Sequence, residues 1–218
     1  MNARPPLRLG VLISGRGSNM QAVARACLSG VIHAEIAIVL ADREDAGGIA
    51  VAQELGLATA VVPWKSFADR AAFERALADV LELNRAEIIV LAGFMRILSP
   101  EFAAAFAGRL INIHPALLPK YRGLDTHRRC LAAGDRDHGA SVHFATAELD
   151  GGPVILQSKI DVPAGETEKN LATRVLATEH VILPRVLGWL AEGRLTWRDG
   201  RGWLDGKPLD APIVEQFH

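Results

Sequence analysis

Hydrophobic residues along the 218-residue chain fall into short unbroken runs that alternate with segments of helical period. Leu9 to Ile13, Ala34 to Ala41, Ala58 to Val62, Ile88 to Leu91 and Leu110 to His114 read as strands, and continuous apolar runs of this length suit strands covered on both faces. Between them, Met20, Val23, Cys27 and Leu28 recur at helical spacing up to Gly30, Gly48 to Leu55 reads as a short helix, and Phe73, Leu77, Val80 and Leu81 mark a helix over about Asp69 to Leu83. Further on, the pattern predicts a helix over Asp125 to Ala133, a strand pair over Ala140 to Phe144 and Val154 to Ile160, and a long helix over Glu168 to Leu190. In the tail, Asp199-Gly200 and Asp205-Gly206 predict a small hairpin within Trp197 to His218. Alternating strands and helices imply an α/β fold: a mostly parallel twisted sheet flanked by helices, Rossmann-like in its N-terminal half, with right-handed crossovers.

Composition narrows the class. Half the residues are hydrophobic and the net charge is −1, so no basic surface for nucleic acid is expected. The longest apolar stretch, around Ile88 to Met95, is far below membrane-spanning length, and the run Leu9 to Ile13 is too short for a signal peptide, whose basic flank would be Met1 to Arg8. Cys27 and Cys130 form no CxxC pair and no disulfide framework, which fits a reducing, cytoplasmic compartment. His114, His127, His138 and His143 lack common metal-ligand spacing, so no metal is expected.

Candidate chemistry collects where strands end, because ligands of open parallel sheets bind beyond the carboxyl ends of the strands. Asn112 and His114 alternate with Ile111 and Ile113, so they share a face at roughly 6 to 7 Å spacing. Either they cap the loop beginning at Pro115, or they hold one small polar group, such as a carbonyl, between two donors. Ser14-Gly15-Arg16-Gly17-Ser18-Asn19 joins a strand to a helix, as a plain glycine-rich turn or as a cradle of N–H groups for phosphate; Ser18 and Gln21 have capping-box spacing. After the fourth strand, Gly93 to Leu98 either lies at the surface or offers backbone groups and Met95, Ile97 and Leu98 to a flat apolar ligand. Leu149-Asp150-Gly151-Gly152 has turn chemistry. Glu179 falls in the middle of the apolar face formed by Leu171, Val175, Ile182, Leu183 and Val186, where a carboxylate must be paired, hydrogen-bonded or aimed into a cleft; the cleft is the favoured reading.

Five motifs occur in order: Val11-Leu-Ile-Ser-Gly-Arg-Gly-Ser-Asn19, Leu91-Ala-Gly-Phe-Met-Arg-Ile-Leu-Ser-Pro100, Ile111-Asn-Ile-His-Pro-Ala-Leu-Leu-Pro119, His138-Gly-Ala-Ser-Val-His143 and Leu149-Asp-Gly-Gly-Pro-Val-Ile-Leu156. With them, from about Leu9 to Asp205, the chain resembles the folate-dependent phosphoribosylglycinamide formyltransferases. The resemblance implies one formyltransferase domain over residues 1–218: a mononucleotide-binding half (about 8–107), a catalytic and folate-binding half (about 108–195) and a C-terminal hairpin and tail (196–218). It implies 10-formyltetrahydrofolate as formyl-donating co-substrate, glycinamide ribonucleotide as acceptor, a role in purine biosynthesis, no metal, and a monomer or homodimer. Asn112, His114 and Asp150 match the family's catalytic trio. Gly17, Ser18 and Asn19 match its phosphate loop, and Leu176, Ala177, Thr178 and Glu179 its acceptor-contacting helix. Arg70, the segment Met95, Arg96, Ile97 and Leu98, and the loop Thr146, Ala147, Glu148, Leu149 and Asp150 match folate contacts, together with Asn112. Two positions depart: Asp125 stands where many relatives have His, and position 176 is apolar.

On this resemblance the glycinamide amine attacks the formyl carbon while Asn112 and protonated His114 stabilise the developing oxyanion, and Asp150 favours the imidazolium by opposite charge. The competing readings are a formyltetrahydrofolate deformylase, whose relatives carry an additional N-terminal domain; a methionyl-tRNA formyltransferase, which carries a C-terminal barrel and a basic surface; and a non-catalytic nucleotide-binding module.

Overall fold

The computed structural model describes residues 5–218, so Met1–Arg4 of the basic N-terminal flank lie outside the described residues. The elements run β1 (Leu7–Ile13), α1 (Ser18–Leu28), β2 (Ala34–Ala41), α2 (Gly48–Glu54), β3 (Thr59–Val61), α3 (Arg70–Leu83), β4 (Ile88–Leu91), α4 (Pro100–Ala105) and β5 (Leu110–His114). They continue with α5 (Thr126–Ala133), β6 (Asp137–Phe144), β7 (Val154–Asp161), α6 (Glu168–Ala191), β8 (Leu195–Arg198), β9 (Arg201–Leu204), β10 (Lys207–Pro208) and β11 (Ile213–Gln216).

One sheet of eight strands, ordered β11-β7-β6-β5-β4-β1-β2-β3, runs through the molecule. The ladders from β3 across to β5 are parallel; β6 is antiparallel to both β5 and β7. The strand order reverses at β1, which lies between β2 and β4, so the loops leaving β1 and β4 open a crevice between them. Alternation along β1 divides the core. Val11 and Ile13 pack with α1 and α6 on one face, and Leu12 packs with Phe73, Leu77 and Leu81 of α3 and Phe102 after it on the other. Each such fully buried Leu, Ile or Phe contributes about 1.5 to 3 kcal/mol.

Three helix starts follow their sequence signals. Asp69 accepts from Ala72 N at 2.7 Å, Thr167 from Asn170 N at 3.2 Å, and Ser99, ahead of Pro100, from Phe102 N at 3.1 Å. The last of these opens α4, which is short and was not expected from periodicity.

The expected capping box at Ser18 and Gln21 does not form. Gly17 occupies the cap in a left-handed conformation (φ 71°), Ser18 is already helical, and no side chain caps the helix. A Cβ on Gly17 would also come within 3.0 Å of Gly48 Cα, whose N–H bonds Gly15 O at 2.9 Å, so the turn is held tightly against α2.

The tail also differs from a simple hairpin. The two Asp-Gly pairs do turn the chain, with φ 51° at both Asp199 and Asp205, but they connect a three-stranded sheet, β8-β9-β10. β11 then pairs in parallel with the distant β7, Ile213 opposite Leu156, and covers that edge. Local periodicity carries no sign of a partner so far away.

β6 and β7 approach closely at Gly139, where a Cβ would lie 1.7 Å from Ser158 O. Gly139→Ala is therefore expected to destabilise the protein by about 3 kcal/mol in denaturant unfolding, through displaced backbone; an unchanged midpoint would contradict this packing.

Candidate active site

β5 carries Asn112 and His114 to the crevice, and the neighbouring ladders fix where they point. Asn112 lies opposite Leu91 of β4 and His143 of β6, and His114 lies opposite Ser141. The loop beyond β5 is pinned from below: Ser141 Oγ donates to Ala116 O at 2.6 Å, Leu118 N donates to Ser141 Oγ at 3.1 Å, and Gln157 Nε2 donates to Leu118 O at 2.8 Å.

Asp150 meets both residues. Its Oδ1 lies 3.4 Å from Asn112 Nδ2 and its Oδ2 lies 3.5 Å from His114 Nδ1. The Asp150 side chain is 9% exposed and its backbone is left-handed (φ 48°), a conformation aspartate tolerates in tight turns. Gly123 N donates to its Oδ2 at 2.9 Å, tying the loop before α5 to the site. On the other side of the imidazole, His114 Nε2 donates to Tyr121 O at 2.9 Å. Both ring nitrogens thus face acceptors.

His143 is the site residue that sequence reasoning missed. It is 1% exposed, and burial drives its pKa down to about 4, against the opposing effects of the Phe144 carbonyl and Asp150. As a neutral ring it donates from Nδ1 to Phe144 O (3.0 Å) and offers the Nε2 lone pair to Asn112 Nδ2 at 3.0 Å. The tautomer follows from this network. With Asn112 reversed, its carbonyl oxygen would face that lone pair and a carboxylate. His143 therefore turns the amide so that one N–H faces its own Nε2 and the other faces Asp150. The available signal was the cross-strand register with Asn112, which requires the sheet.

A cavity of about 90 Å³ abuts this cluster, lined by Arg96, Ile97 and Leu98, by Asn112 and His143, and by the segment 145–150. This gathers Arg96, Ile97, Leu98, Asn112, Thr146, Ala147, Glu148, Leu149 and Asp150 from the residues expected to meet folate. Met95 and Arg70 are not in its lining. Met95 has its N–H bound to Ser14 Oγ at 2.8 Å and a largely exposed side chain, and Arg70 lines a separate apolar groove of about 560 Å³ between α3 and α4.

Across the crevice, Gly17, Ser18 and Asn19 begin α1 with first-turn N–H groups that no side chain caps, a geometry suited to an anion. Asn19 Nδ2 donates to Glu179 Oε2 at 2.6 Å, joining this loop to α6. Glu179 is 6% exposed, and burial raises its pKa to about 7, with Asn19 pulling the other way. Of the readings open for Glu179, the structure shows the hydrogen-bonded one rather than the favoured open cleft. Among its neighbours, Leu176 is half-buried, Ala177 is exposed, and Thr178 is spent in the core, bonding Ser158 Oγ at 2.6 Å and Val175 O at 2.8 Å. Asp125 is exposed and pairs with Arg128. Among the described residues no group of side chains could hold a metal ion, and no helix is long and apolar enough to cross a membrane.

A family model described as "Formyl transferase" matches residues 7–187. The chain belongs to the formyl transferase family. It is 48% identical to the phosphoribosylglycinamide formyltransferase of Escherichia coli (strain K12) over 93% of its length and 96% of the relative's. A solved phosphoribosylglycinamide formyltransferase from Coxiella burnetii superposes with a TM-score of 0.92 at 45% identity, covering 96% of this chain and 99% of that one. A formyltetrahydrofolate deformylase from Pseudomonas syringae shares the fold, with a TM-score of 0.83 at 23% identity over 91% of this chain and 66% of that one. The chain is thus a transferase grouped with the phosphoribosylglycinamide enzymes rather than with the deformylases.

The raised pKa of Glu179 has a stability consequence. Protonated when folded and ionised when unfolded between its ordinary value of 4.5 and about 7, it stabilises the fold fully below 4.5, and that contribution is lost as pH rises through 7. Glu179→Gln should therefore match wild type in unfolding stability at pH 4 and exceed it by up to about 3 kcal/mol at pH 8. A pH-independent difference would show that the carboxylate is not desolvated.

Proposed function

We propose that this protein, as one formyltransferase domain, transfers the formyl group of 10-formyltetrahydrofolate to the amino group of glycinamide ribonucleotide in the cytoplasm. The observation that carries the chemistry is the convergence of Asn112 and His114 on Asp150 through two long contacts, 3.4 and 3.5 Å. Asn112 Nδ2–H and His114 Nδ1–H are each held loosely, while their other hydrogen bonds, to His143 and Tyr121 O, are 3.0 and 2.9 Å. A formyl oxygen entering between them accepts hydrogen bonds from these two loosely held N–H groups, and both donors are aimed before charge develops.

The pterin end of the donor occupies the cavity between Arg96–Leu98 and Thr146–Asp150, which sets its N10 formyl group over Asn112. Met95 and Arg70, outside that lining, meet more exposed parts of the donor. The acceptor phosphate binds the N–H groups of Gly17, Ser18 and Asn19. Its ribose hydroxyls reach Glu179, with Leu176, Ala177 and Thr178 contributing backbone and shape. This places the amine beside the formyl carbon and removes the entropic cost of bringing the two together. Attack forms the C–N bond and puts negative charge on the formyl oxygen. Asp150 orients Asn112 and His114, accepting from the two donors that the oxyanion then recruits. The tetrahedral species then breaks its bond to N10: the attacking amine gives up one proton, N10 gains one, and the products are the formylated amine and tetrahydrofolate.

The deciding measurement is formyl transfer from 10-formyltetrahydrofolate, followed spectroscopically with and without glycinamide ribonucleotide. Strong dependence on the ribonucleotide is expected. Equal rates without it would make water the acceptor, and no product in either case would leave a binding protein.

Asp150→Asn should lower kcat by about a hundredfold or more while changing the donor KM little, because the carboxylate serves the transition state more than the ground state. Near-wild-type turnover would remove Asp150 from this role.

A further inference from the structure

Asp42, at the end of β2, is not among the residues that the proposed function uses, yet its side chain is 0% exposed. Its Oδ2 accepts from Arg96 Nε, while its buried Oδ1 has no partner among the described residues. The Asp42 carbonyl accepts from Trp64 N at 2.9 Å, and the Trp64 ring lies under the Arg96 guanidinium, 5.5 Å from its carbon. Asp42, Trp64 and Arg96 thus close a triangle of one ion pair, one backbone hydrogen bond and one cation–π contact. Trp64 is itself braced edge-on against the buried Phe73, with ring centroids 4.9 Å apart.

We propose that Asp42 and Trp64 are positioning residues for the formyl donor, holding Arg96 so that the 95–98 loop keeps the form that walls the donor cavity. This rests on the placement of the donor in that cavity. The loop is tied at its ends by Met95 N to Ser14 Oγ at 2.8 Å and by Ser99 N to Glu74 Oε1 at 2.6 Å. Between those ties, the Arg96 side chain bonds Asp42 and lies over the Trp64 ring. Arg96 lines both the 90 Å³ donor cavity and a neighbouring 470 Å³ cavity with Asp42, Trp64 and Lys65, so it is the partition between the two. Released, the guanidinium would strand a fully buried carboxylate, a strong reason for it to stay. Its charge is committed to Asp42, so in this chain Arg96 acts on the donor mainly by shaping the wall.

The test is steady-state formyl transfer by the full chain bearing Asp42→Asn, Trp64→Ala, Trp64→Phe, Arg96→Met or the Asp42→Asn/Arg96→Met pair, with thermal unfolding of each. Asp42→Asn and Trp64→Ala should raise the donor KM about five- to tenfold and leave kcat and the acceptor KM within about twofold. Trp64→Phe, which keeps an aromatic face, should restore most of the donor affinity, and Asp42→Asn should add nothing to Arg96→Met. Unchanged donor KM in the clamp variants, additive effects in the pair, or a general loss of activity that follows thermal stability would overturn the proposal. Leu98→Ala and Leu149→Ala separate the two levels. If they raise the donor KM and the clamp variants do not, the clamp alone is wrong. If none does, the placement of the donor falls and the clamp with it.

Discussion

The register of β5 against β6 sets Asn112 opposite His143, and the rest of the site follows from that pairing. A one-residue slip would turn Asn112 and His114 to the other face of the sheet and bring Ile111 and Ile113 into the crevice. The register is held by apolar burial, since Ile111 and Val142 are fully buried and Ile113 nearly so. It is also held by the serine and glutamine contacts that fasten residues 116–118 beneath the site. Packing on one side of the sheet therefore orients two polar groups on the other.

Burial then acts on two titratable groups in opposite senses. It pushes His143 down to about 4, so the ring stays neutral and can accept from Asn112, and it pushes Glu179 up to about 7, so this carboxyl is poised near its charge change. One belongs to the cluster of Asn112, His114 and Asp150, while the other joins the turn Gly17–Asn19 to α6 through Asn19. Both are solvent-excluded, which strengthens any hydrogen bond made to an entering ligand.

The segment 95–98 is exposed at Met95 and Ile97 and fixed in its backbone. Met95 and Ile97 are 61% and 62% exposed, an unfavourable display for apolar groups without a ligand. The segment that carries them is fastened to β1 through Ser14, to β2 through Asp42 and to α3 through Glu74. Apolar surface on a backbone held at several points suits a flat ligand, because little order remains to be imposed on binding.

Local periodicity determined the strands of the N-terminal half, with Ala34–Ala41 and Ile88–Leu91 at their observed bounds, and the long final helix. The residue types at the strand ends marked the crevice, and the position of Glu179 on an apolar face marked it as exceptional before any partner was known. Those readings depend on contacts within a few residues of each other, which sequence spacing encodes. Tertiary structure alone decided the matters that depend on distant pairing. It set His143 beside Asn112, bonded Glu179 to an asparagine 160 positions away, brought Asp42 under Arg96, and placed β11 on the edge of β7. It also put the cap of α1 on a left-handed Gly17, where sequence spacing favoured a serine cap, because the close approach of Gly48 selects that turn. Each of these is a choice among partners far apart in the chain, and only the closed sheet and its packed helices make one partner available.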